Sequence, residues 1–194
     1  MAILDVIKYG HPTLRKVAEP VDPDQVDKEF LKDMLDTMLA EDGVGLAANQ
    51  VNDLQRIIVV NDYEQIYTLL NPEIIAFSER MEEGNEGCLS LPGLQASVPR
   101  HEKVVVRALT EDGEEIEINA KGLLAIILQH EIDHLNGKLY IDRADITTLN
   151  WVDNEPESGL PVNKEALLDE VQGIYKDRFH QNKSSVVFEP QIEE

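Results

Sequence analysis

Residues 121–136 constrain the fold of this chain more than any other stretch. Every side chain from Leu123 to Leu128 is apolar, which a surface helix with one wet face does not tolerate, and Gly137 stands where a helix C-terminus favours glycine. A helix apolar all round must be buried. The same segment nevertheless goes on to His130, Glu131, Asp133 and His134, and ionisable groups are costly to desolvate without partners. This pattern predicts a domain built around one central helix, with a metal ion or a tight polar network at its second half.

His130-Glu131-Ile132-Asp133-His134 has the form H-E-x-x-H. One helical turn separates the histidines, so both imidazoles project from one face and can grip one cation, while Glu131 lies within reach of a water on it. A catalytic zinc-type site needs three protein ligands and one open position. The residues leave the third ligand open. Continuation through Gly137 to a third histidine fails, because position 140 is Tyr. A downstream carboxylate, Glu155, Glu165 or Glu170, would make a thermolysin-like protease. The remaining soft donor is Cys88, in Glu86-Gly87-Cys88-Leu89-Ser90. In a different class, a fourth protein donor such as His101 would close the site into a structural metal module without activity.

A chain of 194 residues suits one compact domain, with or without an appendage. Phe30, Leu31, Met34, Leu35, Met38 and Leu39 recur at helical spacing after Asp27, predicting an N-terminal helix that ends at Gly43. Buried strands are expected at 56–61 and 67–70, the second closed by Asn71-Pro72. Residues 103–110 and 114–119 flank Asp112-Gly113, a hairpin signal. Farther on, 153–161 reads as a loop, 163–179 as a helix capped by Asn163, and the last dozen residues as a flexible tail. The fold class expected is α+β: a central buried helix carrying H-E-x-x-H, mixed or antiparallel strands around it, and helices at both ends.

Charge and cysteine usage narrow the function. With 38 acidic residues against 17 basic ones the formal charge is −21, which argues against direct DNA or RNA binding. A single cysteine excludes an internal disulfide and a four-cysteine zinc module. The longest apolar run, 122–128, falls far short of the roughly 20 residues of a membrane span. The first residues lack the basic and apolar regions of a secretion signal, so a cytoplasmic protein without membrane attachment is expected.

Three segments in order then carry a family resemblance: Gly43-Val44-Gly45-Leu46-Ala47-Ala48-Asn49-Gln50, Glu86-Gly87-Cys88-Leu89-Ser90, and Gln129-His130-Glu131-Ile132-Asp133-His134. Together with Pro12, Leu14-Arg15 and Pro20-Val21, they make the chain similar to the peptide deformylases, which remove the N-formyl group from nascent bacterial polypeptides. The similarity covers roughly 3–143. It divides the chain into a deformylase-like catalytic domain, 1–145, and an acidic C-terminal extension, 146–194.

The resemblance implies that Cys88, His130 and His134 hold one divalent metal ion, Fe²⁺ in the cell, with Zn²⁺ and Ni²⁺ also fitting the donor set. It implies Glu131 as general base and then general acid, and the Gln50 amide with the Leu89 backbone N–H as donors to the carbonyl oxygen. The N-formylmethionyl peptide would pair with the Gly45 backbone beside Gly43. Val44, Leu123, Ile126 and Ile127 would line the methionine pocket, and a wall around Gly45 and Leu46 would refuse an acyl group larger than formyl. Glu86 and Arg100 are expected to pair and fix the Cys88 loop, and Asp133 to orient a neighbour. Two departures stand out. Gln95 replaces the Arg or aromatic residue that many bacterial members carry near the cleft. From Asn150 onward ten acids face four bases, so docking of this tail on the ribosome is not expected. The chain is expected to act as a monomer.

Overall fold

The computed structural model describes residues 2–152, 162–180 and 187. Helix α1, Lys28–Ala40, starts at Asp27, whose side chain accepts a hydrogen bond from the Glu29 N–H. Seven strands follow before the central helix: β1 Gly45–Ala47, β2 Ile57–Asn61, β3 Ile66–Phe77, β4 Met81–Cys88, β5 Leu91–His101, β6 Lys103–Leu109 and β7 Glu115–Lys121. Helix α2 is Leu123–Leu135, and β8 Asn150–Val152, β9 Val162–Glu165 and α3 Leu168–Phe179 complete the order.

The strands form two antiparallel sheets, β1-β2-β3-β6-β7 and β4-β5-β8-β9, with α2 packed against both. Successive side chains of a strand point to opposite faces. Ile58 and Val60 of β2 therefore turn toward Leu128, Ile132 and Leu135 of α2, and Ile57 and Val59 toward Met34 and Met38 of α1. That is why Ile-Ile-Val-Val reads as one apolar run: both faces of the strand are covered. A third cluster joins Leu94 and Val98 of β5, Trp151 of β8, and Val171 and Tyr175 of α3.

Three expectations are corrected. Strand β3 does not stop at Asn71-Pro72. Asn71 adopts φ +53° and the pairing with β6 shifts between Leu70 and Glu73, a bulge that absorbs the proline and lets the strand run on to Phe77. The Asn71 side chain also holds Val21 through two bonds of 2.8 Å, clamping the N-terminal segment. The C-terminal helix begins at Leu168, not at 163. Val162–Glu165 pair with β8 as a strand, and Ala166 N–H donates to Leu149 O, so the ladder claims the backbone that periodicity assigns to a helix and Asn163 is no cap. The expected loop at 153–161 and most of the expected tail lie outside the described residues. Among the described residues, no helix is long and apolar enough to cross a membrane.

Trp151 is fully buried in the third cluster, against the Tyr175 ring at 6.1 Å. Trp151→Ala is expected to remove about 3–5 kcal/mol of stability, as large-to-small changes at buried aromatic positions do. Urea unfolding followed by circular dichroism measures this, and a loss below about 1 kcal/mol would show that β8 and α3 are not part of the core.

Candidate metal centre

Glu86 and Cys88 stand two residues apart on β4 and so share one face of the strand. On α2, His130, Asp133 and His134 share one face at spacings of three and four. The fold sets these two faces against each other. Cys88 Sγ lies 3.2 Å from His134 Nε2, and the ligating atoms of Cys88, His130 and His134 all fall within 4.8 Å of one another. One thiolate with two imidazoles, the latter 8% and 1% exposed, is a donor set that fits a single borderline-soft divalent cation.

Behind the donors runs a chain of buried charges. His130 Nδ1 donates to Glu86 Oε2 at 2.8 Å, which holds the proton on Nδ1 and leaves Nε2 for the centre. Arg100 grips Glu86 with two bonds, Nε to Oε1 at 2.7 Å and Nη2 to Oε2 at 2.9 Å, and reaches Asp133 Oδ2 at 2.5 Å with Nη1. Arg143 closes on the same Asp133 at 2.6 and 2.8 Å. Burial alone would raise the Glu86 pKa, but the Arg100 and His130 bonds outweigh it and hold the carboxyl at about 2. Burial lowers the His134 pKa well below the usual imidazole value, favouring the neutral form a ligand requires.

Glu131 has a different environment. Burial pushes its carboxyl up to about 7, and Oε2 has no hydrogen-bond partner among the described residues. A Cβ at Gly45 would run into the Glu131 carboxyl, so glycine lets β1 pass this close while any other residue would displace the Glu131 side chain. Gln50 is equally fixed. Its Oε1 accepts the Ala47 N–H at 2.9 Å, which turns Nε2 toward Cys88 Sγ at 3.4 Å and Ser90 Oγ at 3.2 Å. Lys8 Nζ donates to Leu89 O at 3.0 Å and fixes the Leu89–Ser90 peptide.

These groups open into a cleft of about 790 Å³. Of the residues expected to bind substrate, Gly43, Val44, Gly45, Leu123, Ile126 and Ile127 line it, and so do Gln50, Cys88, Leu89, His130 and Glu131. Leu46 does not. It is 0% exposed and packs with the α1 cluster on the far side of the first sheet, so the expected wall at Leu46 is corrected. Lys8, Pro92, Gly93, Arg178 and Phe179 also line the cleft and carried no expectation, because no local pattern reveals which distant segments return to it. Among the described residues, no rival ligand joins the group of Cys88, His130 and His134. Glu165 and Glu170 are exposed, with Glu170 3.4 Å from Lys164, while Glu155 lies outside the described residues. His101 donates from Nδ1 to Ser78 O at 2.7 Å and stacks on Phe77.

Comparison with known proteins finds relatives of this chain. The family model for polypeptide deformylase matches residues 3–149. A peptide deformylase of Tolumonas auensis is 50% identical over 147 residues, covering 73% of this chain and 87% of the relative. One from Carboxydothermus hydrogenoformans is 48% identical over 148 residues, covering 75% and 95%. Among solved structures, the peptide deformylase of Thermotoga maritima superposes with a TM-score of 0.73 at 38% identity over 75% of this chain and 99% of that one. The Thermus thermophilus enzyme gives 0.70 at 42%, over 73% and 85%.

The buried charge chain generates a direct test. Arg100→Ala leaves Glu86 buried without its cation, and breaking such a pair is expected to lower stability by about 3–5 kcal/mol. It also loosens His130, for which a roughly 10- to 100-fold weaker hold on metal is expected. Chemical denaturation and metal analysis after dialysis read the two effects, and an unchanged midpoint with full metal content would show that Arg100 does not secure β4 to α2.

Proposed function

The chain belongs to the polypeptide deformylase family, and from that premise we propose how its own residues carry out the hydrolysis. It is a metal-dependent hydrolase that removes the N-formyl group from nascent polypeptides and releases formate. Cys88, His130 and His134 hold one divalent ion, and the observation that carries this reading is the convergence of their three donor atoms within 4.8 Å beside the cleft that Cys88 and His130 line. Fe²⁺ is the proposed metal, while Zn²⁺ and Ni²⁺ suit the same donors. When bound, such an ion supplies Lewis-acid polarisation of the formyl carbonyl and lowers the pKa of water toward about 7.

The remaining work falls to side chains and backbone. β1 and β4 are edge strands of their sheets, and both border the cleft, so an extended peptide can add to an exposed edge. Val44, Leu123, Ile126 and Ile127 receive the methionine side chain. Glu131 takes a proton from the attacking water and delivers it to the departing amine nitrogen, a role suited to a carboxyl pushed up to about 7. Gln50 Nε2, fixed by the Ala47 bond, and the Leu89 N–H donate to the carbonyl oxygen as its charge grows. The close passage of Gly45 against Glu131, rather than Leu46, sets the steric limit that favours formyl over acetyl. We place this activity in the cytoplasm, in a monomer that binds no nucleic acid and whose acidic tail does not dock on the ribosome.

Matched formyl-Met and acetyl-Met tripeptides, offered to native, chelator-stripped and Glu131→Gln protein, test the reading by release of formate. Formate is expected from the formyl peptide alone, with activity lost on stripping and regained on adding metal. Glu131→Gln is expected to keep its metal and lose about 10²- to 10⁴-fold in rate. Cleavage of internal peptide bonds, or full metal retention by Cys88→Ser, would favour the thermolysin-like alternative. Gln50→Ala, which removes one donor to the developing oxyanion, is expected to lower kcat by about 10²- to 10³-fold with a smaller change in KM.

A further inference from the structure

Helix α3 does more than close the third core cluster. Its last turn brings Arg178 and Phe179 to the cleft, and both lie past residue 149, where the family match ends. This part of the wall is therefore supplied by chain outside the matched segment. It is firmly seated. Tyr175, fully buried, donates from Oη to Pro92 O at 2.8 Å, and Pro92 itself borders the cleft. The Tyr175 ring meets Tyr9 at 5.8 Å and Phe179 at 5.3 Å, and His180 Nε2 bonds Tyr9 O at 2.5 Å.

Arg178 sits between these two anchors. It is exposed, its guanidinium lies 5.8 Å from the Phe179 ring centre, and no carboxylate among the described residues forms an ion pair with it. The other cation on the cleft, Lys8, is engaged with Leu89 O. Glu41 and Asp42, after the end of α1, put negative charge on another part of the rim, where Glu41 acts on the half-buried Lys8 ammonium, whereas the Arg178 guanidinium is exposed at the end of α3. The apolar side of the cleft comes from α2, through Leu123, Ile126 and Ile127, whereas Pro92, Gly93 and Arg178 come from β5 and α3. A peptide whose methionine occupies the first region meets the second with the residues that follow.

We infer that Arg178, backed by the Phe179 ring, is a specificity-determining residue that receives an acidic side chain at one of the positions after the formylmethionine. This rests on the deformylase reading above. An exposed ion pair contributes up to about 1 kcal/mol, equivalent to roughly fivefold in kcat/KM.

The test compares formyl-Met-X-Ala and formyl-Met-Ala-X amides, with X as Asp, Asn or Lys, on the full-length metal-loaded protein. Asp is expected to exceed Asn by about two- to fivefold at one of the two positions, through KM, with Lys below both. Arg178→Gln should abolish the Asp-over-Asn preference, Arg178→Lys should retain part of it, and about 1 M salt should erase it in the native protein. Equal ratios for native protein and Arg178→Gln, or an equal loss on all peptides in Arg178→Gln, would overturn the inference. Absence of formate from every peptide would instead overturn the deformylase reading on which it stands.

Discussion

The guanidinium of Arg100, held between Glu86 and Asp133, is the interaction on which the rest of the structure depends. An apolar helix cannot carry His130, Glu131, Asp133 and His134 into a core unless other elements bring compensating charge. β5 brings it. Arg100 is 3% exposed and occupies an inward position in register with Leu94, Ala96 and Val98, so the strand that packs the third cluster also delivers the cation. One residue of slippage between β4 and β5 would turn Glu86 away from Arg100 and Cys88 away from α2 at the same time. Strand register, histidine orientation and thiol placement are thus one constraint.

A second constraint acts from the opposite sheet. β1 passes so near Glu131 that a Cβ at position 45 would displace its carboxyl. This proximity brings the edge of the five-stranded sheet to the buried carboxyl, while β4, the edge of the four-stranded sheet, carries Cys88. Exposed edges are ordinarily a liability, because their unpaired backbone groups invite another strand. Here both edges border the same cleft, and a substrate chain is the strand they are suited to accept.

Much of this was legible in the sequence because it is local. The 3.6-residue period gave α1, apolar crowding gave α2, Asp112-Gly113 gave the β6–β7 hairpin, and one helical turn between His130 and His134 gave two of the three donors. The third was not local. Cys88 depends on β4 and β5, which the sequence reading missed: β4 is rich in Glu and Gly, and the alternation of β5 is broken by Pro92, Pro99 and the inward Arg100. The motif around Cys88 pointed to it by resemblance, without revealing the strand that carries it. Leu46 was misplaced because alternation along a three-residue strand does not tell which face meets the cleft and which meets α1. The return of α3 to the cleft was invisible for a related reason, since it depends on Tyr175 meeting Tyr9 and Pro92 across more than 80 residues of chain.

The overall charge of −21 gives that returning helix its significance. A molecule so acidic repels an anionic peptide at long range, so acidic side chains gain nothing from steering. Screening limits that repulsion to about 8 Å at physiological ionic strength, whereas a guanidinium at the cleft wall acts on a side chain already in place. Selection by Arg178 would therefore act on the bound peptide rather than on its approach. α3 rests on Trp151 and Tyr175 in the third cluster, whereas the apolar residues of α2 pack in the cluster with β2. Metal centre and cleft wall meet in the third cluster, where Cys88 and Phe179 both pack and Tyr140 stacks on His130, so a change that loosens its centre reaches both.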